Sequence, residues 1–302
     1  MYLYHFGMRE LPFTLTPNTD FFLNLKPHIE ALQVLTSALQ QGEGFIKVTG
    51  EVGTGKTLIC RKLLNELPDG FAVAYIPNPY LTPGELRWAV AVELGLTYSS
   101  NIDQQQLTQM LQQHLLKLAA QGKAVVVILD EAQALPDESL EALRLFTNLE
   151  TERRKLLQVV LFGQPELDER LGRKKFRQLR QRISFSYQLR SMTEAEVCHY
   201  VGYRMKVAGY QGAAVFTKSQ TKQIAIASFG IPRLVNILCH KALLLCFAKG
   251  ERLVKPNYIK QSILDTVDAK QPMSPKVLGT VMTVTIGLLL GICYWLTTGE
   301  LI

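Results

Sequence analysis

The sequence predicts an α/β protein: a core on a five-stranded parallel sheet covered by helices on both faces, then a small α-helical bundle and a terminal apolar helix. Three observations carry that prediction. Gly50 to Thr57, GEVGTGKT, fits the phosphate-loop pattern G-x-x-x-x-G-K-[ST] between a strand-like run, FIKVT, and a helix-like run, LICRKLLNEL. AVVVILDEAQ is a continuous apolar run ending in two carboxylates, as expected of a central parallel strand whose C-terminal end faces a ligand. From Thr193 onward the hydrophobic spacing is wholly helical.

The glycine-rich loop meets a narrow physical demand. Gly50 and Gly55 let the backbone turn its amides toward phosphate oxygens, and the N-terminus of the following helix adds a favourable dipole. The expected binding stretch is Gly50, Glu51, Val52, Gly53, Thr54, Gly55, Lys56, Thr57 and Leu58. Lys56 is expected to reach the β- and γ-phosphates, and the Thr57 hydroxyl to ligate Mg²⁺. A chance lysine in a glycine-rich turn would not explain why strand, loop and helix fall in register. About 75 residues later, Asp130 is expected to hold Mg²⁺, and Glu131 to orient or deprotonate an attacking water as general base. No N-K-x-D guanine signature occurs, so ATP is the expected nucleotide.

The remaining elements follow in order. Residues 1–45 form a lead-in with aromatic and proline punctuation, LPFTLTPNTDFFL, then a helix-like stretch from Pro27 to Gln41. That lead-in suits either a place beside a nucleotide base or a plain structural edge. FAVAYIPNP reads as a second strand with a proline stop, and helices are expected over Pro83 to Leu94 and Gln104 to Ala120. In the latter, Leu107, Leu111, Leu115 and Leu118 share a face. A helix from Asp137 to about Thr151 leads into LLQVVLFGQPEL, a strand ending at Gln164, and the alternating ISFSYQL is a fifth strand. Helices near 193–208, 217–228, 232–249 and 255–268 complete the bundle, with Pro232 in a first turn and Arg233 placed to project back toward nucleotide. The expected organisation is lead-in 1–45, core 46–191, helical bundle 192–270, linker 271–276 and membrane helix 277–299.

Composition narrows the setting. The 302 residues, 47% hydrophobic, suffice for a full core, and the net charge of +7 suits nucleic acid or an anionic membrane surface. Between Arg170 and Arg190 there are eight Lys or Arg residues and no acid. Five cysteines without a C-x-x-C pair suggest neither zinc site nor disulfide framework, and none of the dispersed histidines is assigned a catalytic role. The start lacks a basic segment followed by an apolar core, so the bulk of the chain is expected in the cytoplasm.

Residues 277–299 run without a charge for 23 positions. At ~1.5 Å per residue they span ~34 Å, enough for a hydrocarbon layer of ~30 Å. The length, Tyr294 and Trp295 near one end, and the preceding Pro-Met-Ser-Pro linker favour a membrane span over a buried core helix. Lys270 and Lys276 precede the span and only Glu300, Leu301 and Ile302 follow it, which orients the large N-terminal part to the cytoplasm. Gly279, Thr283, Gly287 and Gly291 recur every four residues and suit helix pairing, although glycine is frequent in membrane helices generally.

YHFGMRELPFTLTPNTDFFL, GEVGTGKT, VVVILDEAQ, LFGQPEL, LRQRI and GIPRLVNILCHKALL together cover residues 4 to about 246. In this series the chain resembles AAA+ ATPases of the ExeA/GspA secretion type, and within them those serving MSHA pilus biogenesis. The resemblance implies an αβα P-loop ATPase core with a helical lid and ATP with Mg²⁺ as ligands. It also implies a homo-oligomer at the inner (cytoplasmic) membrane, with membrane lipid and pilus or secretion assembly proteins as partners. It places Gln164 at the sensor 1 position, where Asn, Ser or Thr is more usual, and Arg233 at the sensor 2 position of the lid. Asn78 falls where a polar switch residue restrains the catalytic glutamate, or simply forms a turn between Pro77 and Pro79. Arg180 and Arg182 fall where one arginine would cross to a neighbour's nucleotide, or else in a solvated basic helix.

The larger secretion ATPases continue past the membrane into a peptidoglycan-binding domain. With three residues beyond the apolar stretch, no direct grip on the cell wall is expected. A DNA-handling ATPase of the transposition or replication-loading type shares the same core. It would use the 170–190 run against phosphate backbone, with affinity falling as salt rises. The terminal apolar stretch favours the membrane-anchored reading, and the intact Lys56, Thr57, Asp130 and Glu131 argue against an inactive scaffold.

Overall fold

The apolar runs expected as strands form one parallel sheet: β1 Phe45–Gly50, β2 Phe71–Ile76, β3 Ala124–Leu129, β4 Leu157–Gly163 and β5 Ile183–Leu189. The order across the sheet is β2-β3-β4-β1-β5. The computed structural model describes residues 2–97, 102–146 and 155–271. One face of the sheet carries α2 Lys26–Gln40, which precedes β1 and follows the short α1 Leu3–Phe6, and α3 Lys56–Glu66, which follows β1. The other face carries α4 Pro83–Glu93, α5 Gln104–Ala120, α6 Asp137–Phe146, α7 Pro165–Gly172 and α8 Arg177–Arg182. The lid follows as α9 Glu194–Val207, α10 Lys218–Ala227, α11 Pro232–Ala248 and α12 Pro256–Leu264.

Strand alternation explains the layering, because successive side chains point to opposite faces. On β3, Val125, Val127 and Leu129 join α4, α5 and α6 through Leu86, Leu111, Leu115 and Leu140. Val126 and Ile128 instead meet Leu35 and Leu39 of α2 and Ile59 and Leu63 of α3. At the edge, β5 pairs Ile183 with Phe45 and then Phe185 with Ile46, so one extra residue, Ser184, is absorbed there.

Helix starts match their chemistry. Thr82 with Glu85, Asp103 with Gln106, Thr193 with Glu196 and Thr217 with Gln220 form capping boxes at α4, α5, α9 and α10. α6 ends at Phe146, short of the expected Thr151, and residues 147–154 lie outside the described part. Within the basic run, Arg170 lies in α7, Lys174 and Lys175 in a single 3-10 turn, and Arg177, Arg180 and Arg182 in α8. Pro165 opens α7 in its first turn, a start signal the run of positive charge obscured.

The lead-in divides between the two bodies of the molecule. Tyr2, Phe6, Met8, Phe13, Phe21 and Leu25 are buried among lid residues such as Val197, Val235 and Leu243, whereas α2 belongs to the core. Buried Arg204 of α9 ties this segment down: its guanidinium donates to the Pro12 carbonyl and to the Tyr200 hydroxyl (3.0 Å) and lies 4.6 Å from the Phe21 ring centroid. Asn236 donates to the Thr14 carbonyl at 3.1 Å. Residues 2–25 are therefore packed as part of the lid, because their aromatic side chains complete its core. Residues 277–299, with the Gly279–Gly291 repeat, lie outside the described part. Among the described residues no helix is long and apolar enough to cross a membrane.

Candidate active site

β1, β3 and β4 end side by side, and the site is assembled from the loops that leave them. After β1 the chain turns through Gly53 (φ 83°) and Gly55 (φ 103°), left-handed conformations that suit residues without a Cβ. α3 then begins at Lys56, so its N-terminal amides face the loop. Thr54 closes the turn by donating its hydroxyl to the Glu51 carbonyl at 2.8 Å. The Lys56 ammonium, 4% exposed, donates to the carbonyls of Gly50 (2.7 Å) and Glu51 (3.0 Å). Burial pulls Lys56 below the usual lysine range, and the nearby carboxylates of Glu131 and Asp130 oppose that shift.

β3 delivers the opposite wall. Asp130, 3% exposed, accepts from the Glu131 amide at 3.0 Å and from the Thr57 hydroxyl. Burial raises its pKa, and those two hydrogen bonds work against the rise. Thr57 and Asp130 thus offer an adjacent hydroxyl and carboxylate, a hard oxygen pair of the kind that suits Mg²⁺. Glu131 sits in the left-handed region at φ 54° and ψ 40°, which costs a non-glycine residue about 1 kcal/mol or more. Its Oε2 accepts from Gln164 Nε2 at 2.9 Å and from Gln133 Nε2 at 2.6 Å.

The lid supplies the roof. Arg233, the second residue of α11, donates its amide to the Gly53 carbonyl at 3.2 Å. Its side chain lines a cavity of about 220 Å³ together with Leu15, Pro17, Val52, Lys56, Thr57 and Glu131. A Cβ on Gly53 would lie 2.5 Å from Arg233 Cβ, so glycine there is needed for close approach of loop and lid. Beneath the loop, buried His28 of α2 bonds the Thr54 carbonyl through Nε2 at 3.2 Å, and burial lowers its pKa.

The structure therefore gathers Lys56, Thr57, Glu131 and Arg233 around one cavity, with Asp130 beside Thr57 and Gln164 beside Glu131. It does not bring Arg180 or Arg182 there. Exposed Arg180 donates to the Gly172 carbonyl at 3.0 Å and Arg182 to the Arg144 carbonyl at 2.9 Å, both on the α8 side of the core. Asn78 accepts from the Tyr80 amide at 3.4 Å, forming the turn between the two prolines, while Glu131 is held by glutamines instead. Sequence reasoning missed Gln133 and His28. The first stood in plain view in DEAQ, two residues past the glutamate. The second had no local signal, because only packing of α2 sets it under the loop.

Comparison with known proteins agrees with this geometry. Residues 39–171 match the AAA domain family. Over 254 residues the chain is 44% identical to general secretion pathway protein A of Aeromonas hydrophila, covering 84% of this chain and 46% of that protein. The chain thus spans about half the length of that relative. Two solved structures share the fold at low identity. Cdc6p of Pyrobaculum aerophilum has a TM-score of 0.63 and 18% identity over 82% of this chain and 70% of that one. ORC1 of Aeropyrum pernix, in complex with DNA, has a TM-score of 0.60 and 18% identity over 84% and 69%. The AAA domain match and the 44% identity place the chain, with its phosphate loop after β1, its acidic pair at the end of β3 and a helical lid over both, in the P-loop AAA ATPases of the ExeA/GspA type.

Proposed function

We propose that the chain is a membrane-anchored ATPase that couples ATP binding and hydrolysis to closure of its lid and of neighbouring subunits, assisting assembly of a type IV-like pilus or secretion complex. The observation that carries this reading is the 44% identity to general secretion pathway protein A. It extends over 84% of this chain and so takes in the nucleotide cavity and much of the lid. The pilus assignment rests on the motif series between residues 4 and 246, which resembles MshM, the ATPase of MSHA pilus biogenesis. The anchor is the uncharged stretch 277–299, which leaves the ATPase part on the cytoplasmic side of the inner membrane.

In this reading Lys56 exchanges the carbonyls of Gly50 and Glu51 for β- and γ-phosphate oxygens. Thr57 and Asp130 hold the Mg²⁺ that accompanies ATP and neutralises its phosphate charge. Glu131 takes a proton from the attacking water, Gln164 senses the γ-phosphate, and Arg233 closes from the lid. In the assembled homo-oligomer Arg180 or Arg182 reaches the neighbour's nucleotide, a contact worth about 10³ to 10⁵ in rate where it has been measured.

A second reading, a DNA-binding ATPase, is favoured by Arg173, Lys174 and Arg177, which are exposed and have no carboxylate partner among the described residues. Fractionation of cells expressing the full chain separates the two. The anchored reading expects the protein to stay with membranes after an alkaline carbonate wash and to lack affinity for duplex DNA. Recovery in the soluble fraction, with DNA binding that weakens steeply between low and moderate salt, would overturn it.

A further inference from the structure

Gln133 uses both polar atoms of its side chain in hydrogen bonds beside the candidate base. Its Nε2 donates to Glu131 Oε2 at 2.6 Å, and its Oε1 accepts from the Gln164 amide at 3.0 Å. Gln164 returns through its own Nε2 to the same Glu131 Oε2 at 2.9 Å, closing a ring of three residues in which the backbone amide of Gln164 is one link. The ring is anchored from behind. Arg170 of α7 donates to the Gln133 carbonyl at 2.6 Å and is itself paired with Asp137, which also holds Lys175. Room is tight as well: a Cβ on Gly163 would lie 3.4 Å from Gln133 Oε1 and 2.6 Å from Leu167 Cδ2.

The arrangement is asymmetric in a way that matters for proton transfer. Both glutamine donors converge on Oε2, so neither occupies the other carboxylate oxygen. A carboxylate on a rotatable side chain must be held in one orientation to act as a base, and such positioning is worth several powers of ten in rate. The left-handed backbone at Glu131 sets the direction in which its side chain leaves the chain, and two glutamine donors on Oε2 restrain its rotation.

We propose that Gln133 is a positioning residue for ATP hydrolysis. It fixes Glu131 by Oε2 and holds Gln164 beside it, so that Oε1 is the atom that accepts the proton. Water gives that proton to Oε1, its oxygen bonds to the γ-phosphorus, and the bond from that phosphorus to the β–γ bridging oxygen breaks to release ADP. The proposal rests on Glu131 as the base.

The test measures ATP turnover by the full chain, with ADP affinity measured in parallel. Gln133→Met keeps the volume and removes donor and acceptor, whereas Gln133→Glu keeps the acceptor for the Gln164 amide and removes the donor. Each variant is expected to lower kcat by about a hundredfold with KM for ATP and ADP affinity within about twofold. In a Glu131→Gln background the same change is expected to have no further effect, because its action runs through that carboxylate. Normal turnover by either folded variant while Glu131→Gln is inactive overturns the role of Gln133 alone. A full additional loss in the Glu131→Gln background, or a loss of ADP affinity matching the loss of rate, shows a merely structural residue. Normal turnover by Glu131→Gln overturns the base, and this proposal with it.

Discussion

The core and the lid both bury large apolar clusters, but they treat buried polar groups differently. In the core, Thr49, Thr54, Lys56 and Asp130 are buried near the C-terminal ends of the strands, and burial disfavours the charged forms of both Lys56 and Asp130. In the lid, Arg204, Asn236 and Tyr200 are buried too, yet they hold one another and the segment 12–14. In the core, Lys56 lines the cavity beneath the lid, with Asp130 close by, while Thr49 and Thr54, like the lid's polar groups, are used as internal fastening. The lid's contact with the phosphate loop is narrow: the Arg233 amide on the Gly53 carbonyl, and Gly53 itself against Arg233 Cβ.

That contrast can be broken at its strongest point by Arg204→Met. Removing the guanidinium leaves the Pro12 carbonyl and the Tyr200 hydroxyl without their donor and is expected to cost roughly 3 kcal/mol. Loss should appear as early proteolysis within residues 2–25 and lid helices, with the sheet amides still protected from hydrogen exchange. Simultaneous loss of sheet protection would show that lid and core do not separate. Gly53→Ala probes the narrow contact. The added methyl meets Arg233 and requires an unfavourable positive φ, so turnover should fall about thirtyfold, equivalent to about 2 kcal/mol, with thermal stability of the sheet unchanged. A variant with full activity would place the coupling elsewhere.

The smallest expected effect is at the joint between the two bodies. Glu196 caps α9 through Thr193 and pairs with Arg190, whose guanidinium holds the carboxyl down at about 2. Because the folded value lies below the ordinary 4.5, this stability is present above pH 4.5 and fades as pH falls toward 2. Glu196→Gln should cost about 1 kcal/mol at neutral pH and flatten the acid limb of the stability curve between those values. An unchanged acid limb would mean the pair is fully screened by solvent.

Much of this was legible locally. The strands at 45–50 and 124–129, the loop between them and the helix from Gln104 to Ala120 follow from apolar runs, glycines and capping residues adjacent in sequence. α7 was obscured by the basic run that follows it, and α8, open to reading as a solvated basic helix, is instead anchored in the core, where Leu167, Leu171 and Leu179 are buried. Of the two readings open for Asn78, it forms the turn, and the restraint on Glu131 comes from Gln133 and Gln164. Hydrogen-bond partners across a sheet depend on which strand ends lie side by side, and β4 lies between β3 and β1.

By itself the sequence determined that a phosphate loop and an acidic strand end exist, since glycine conformation, helix starts and strand periodicity are properties of neighbouring residues. Only the tertiary structure decided that residues 2–25 complete the lid, that His28 supports the loop from below, and that Glu131 is held by two glutamines, one of them 33 positions away. Those contacts form through packing of apolar faces against whatever surface lies opposite, and that surface is set by the whole chain rather than by any segment of it.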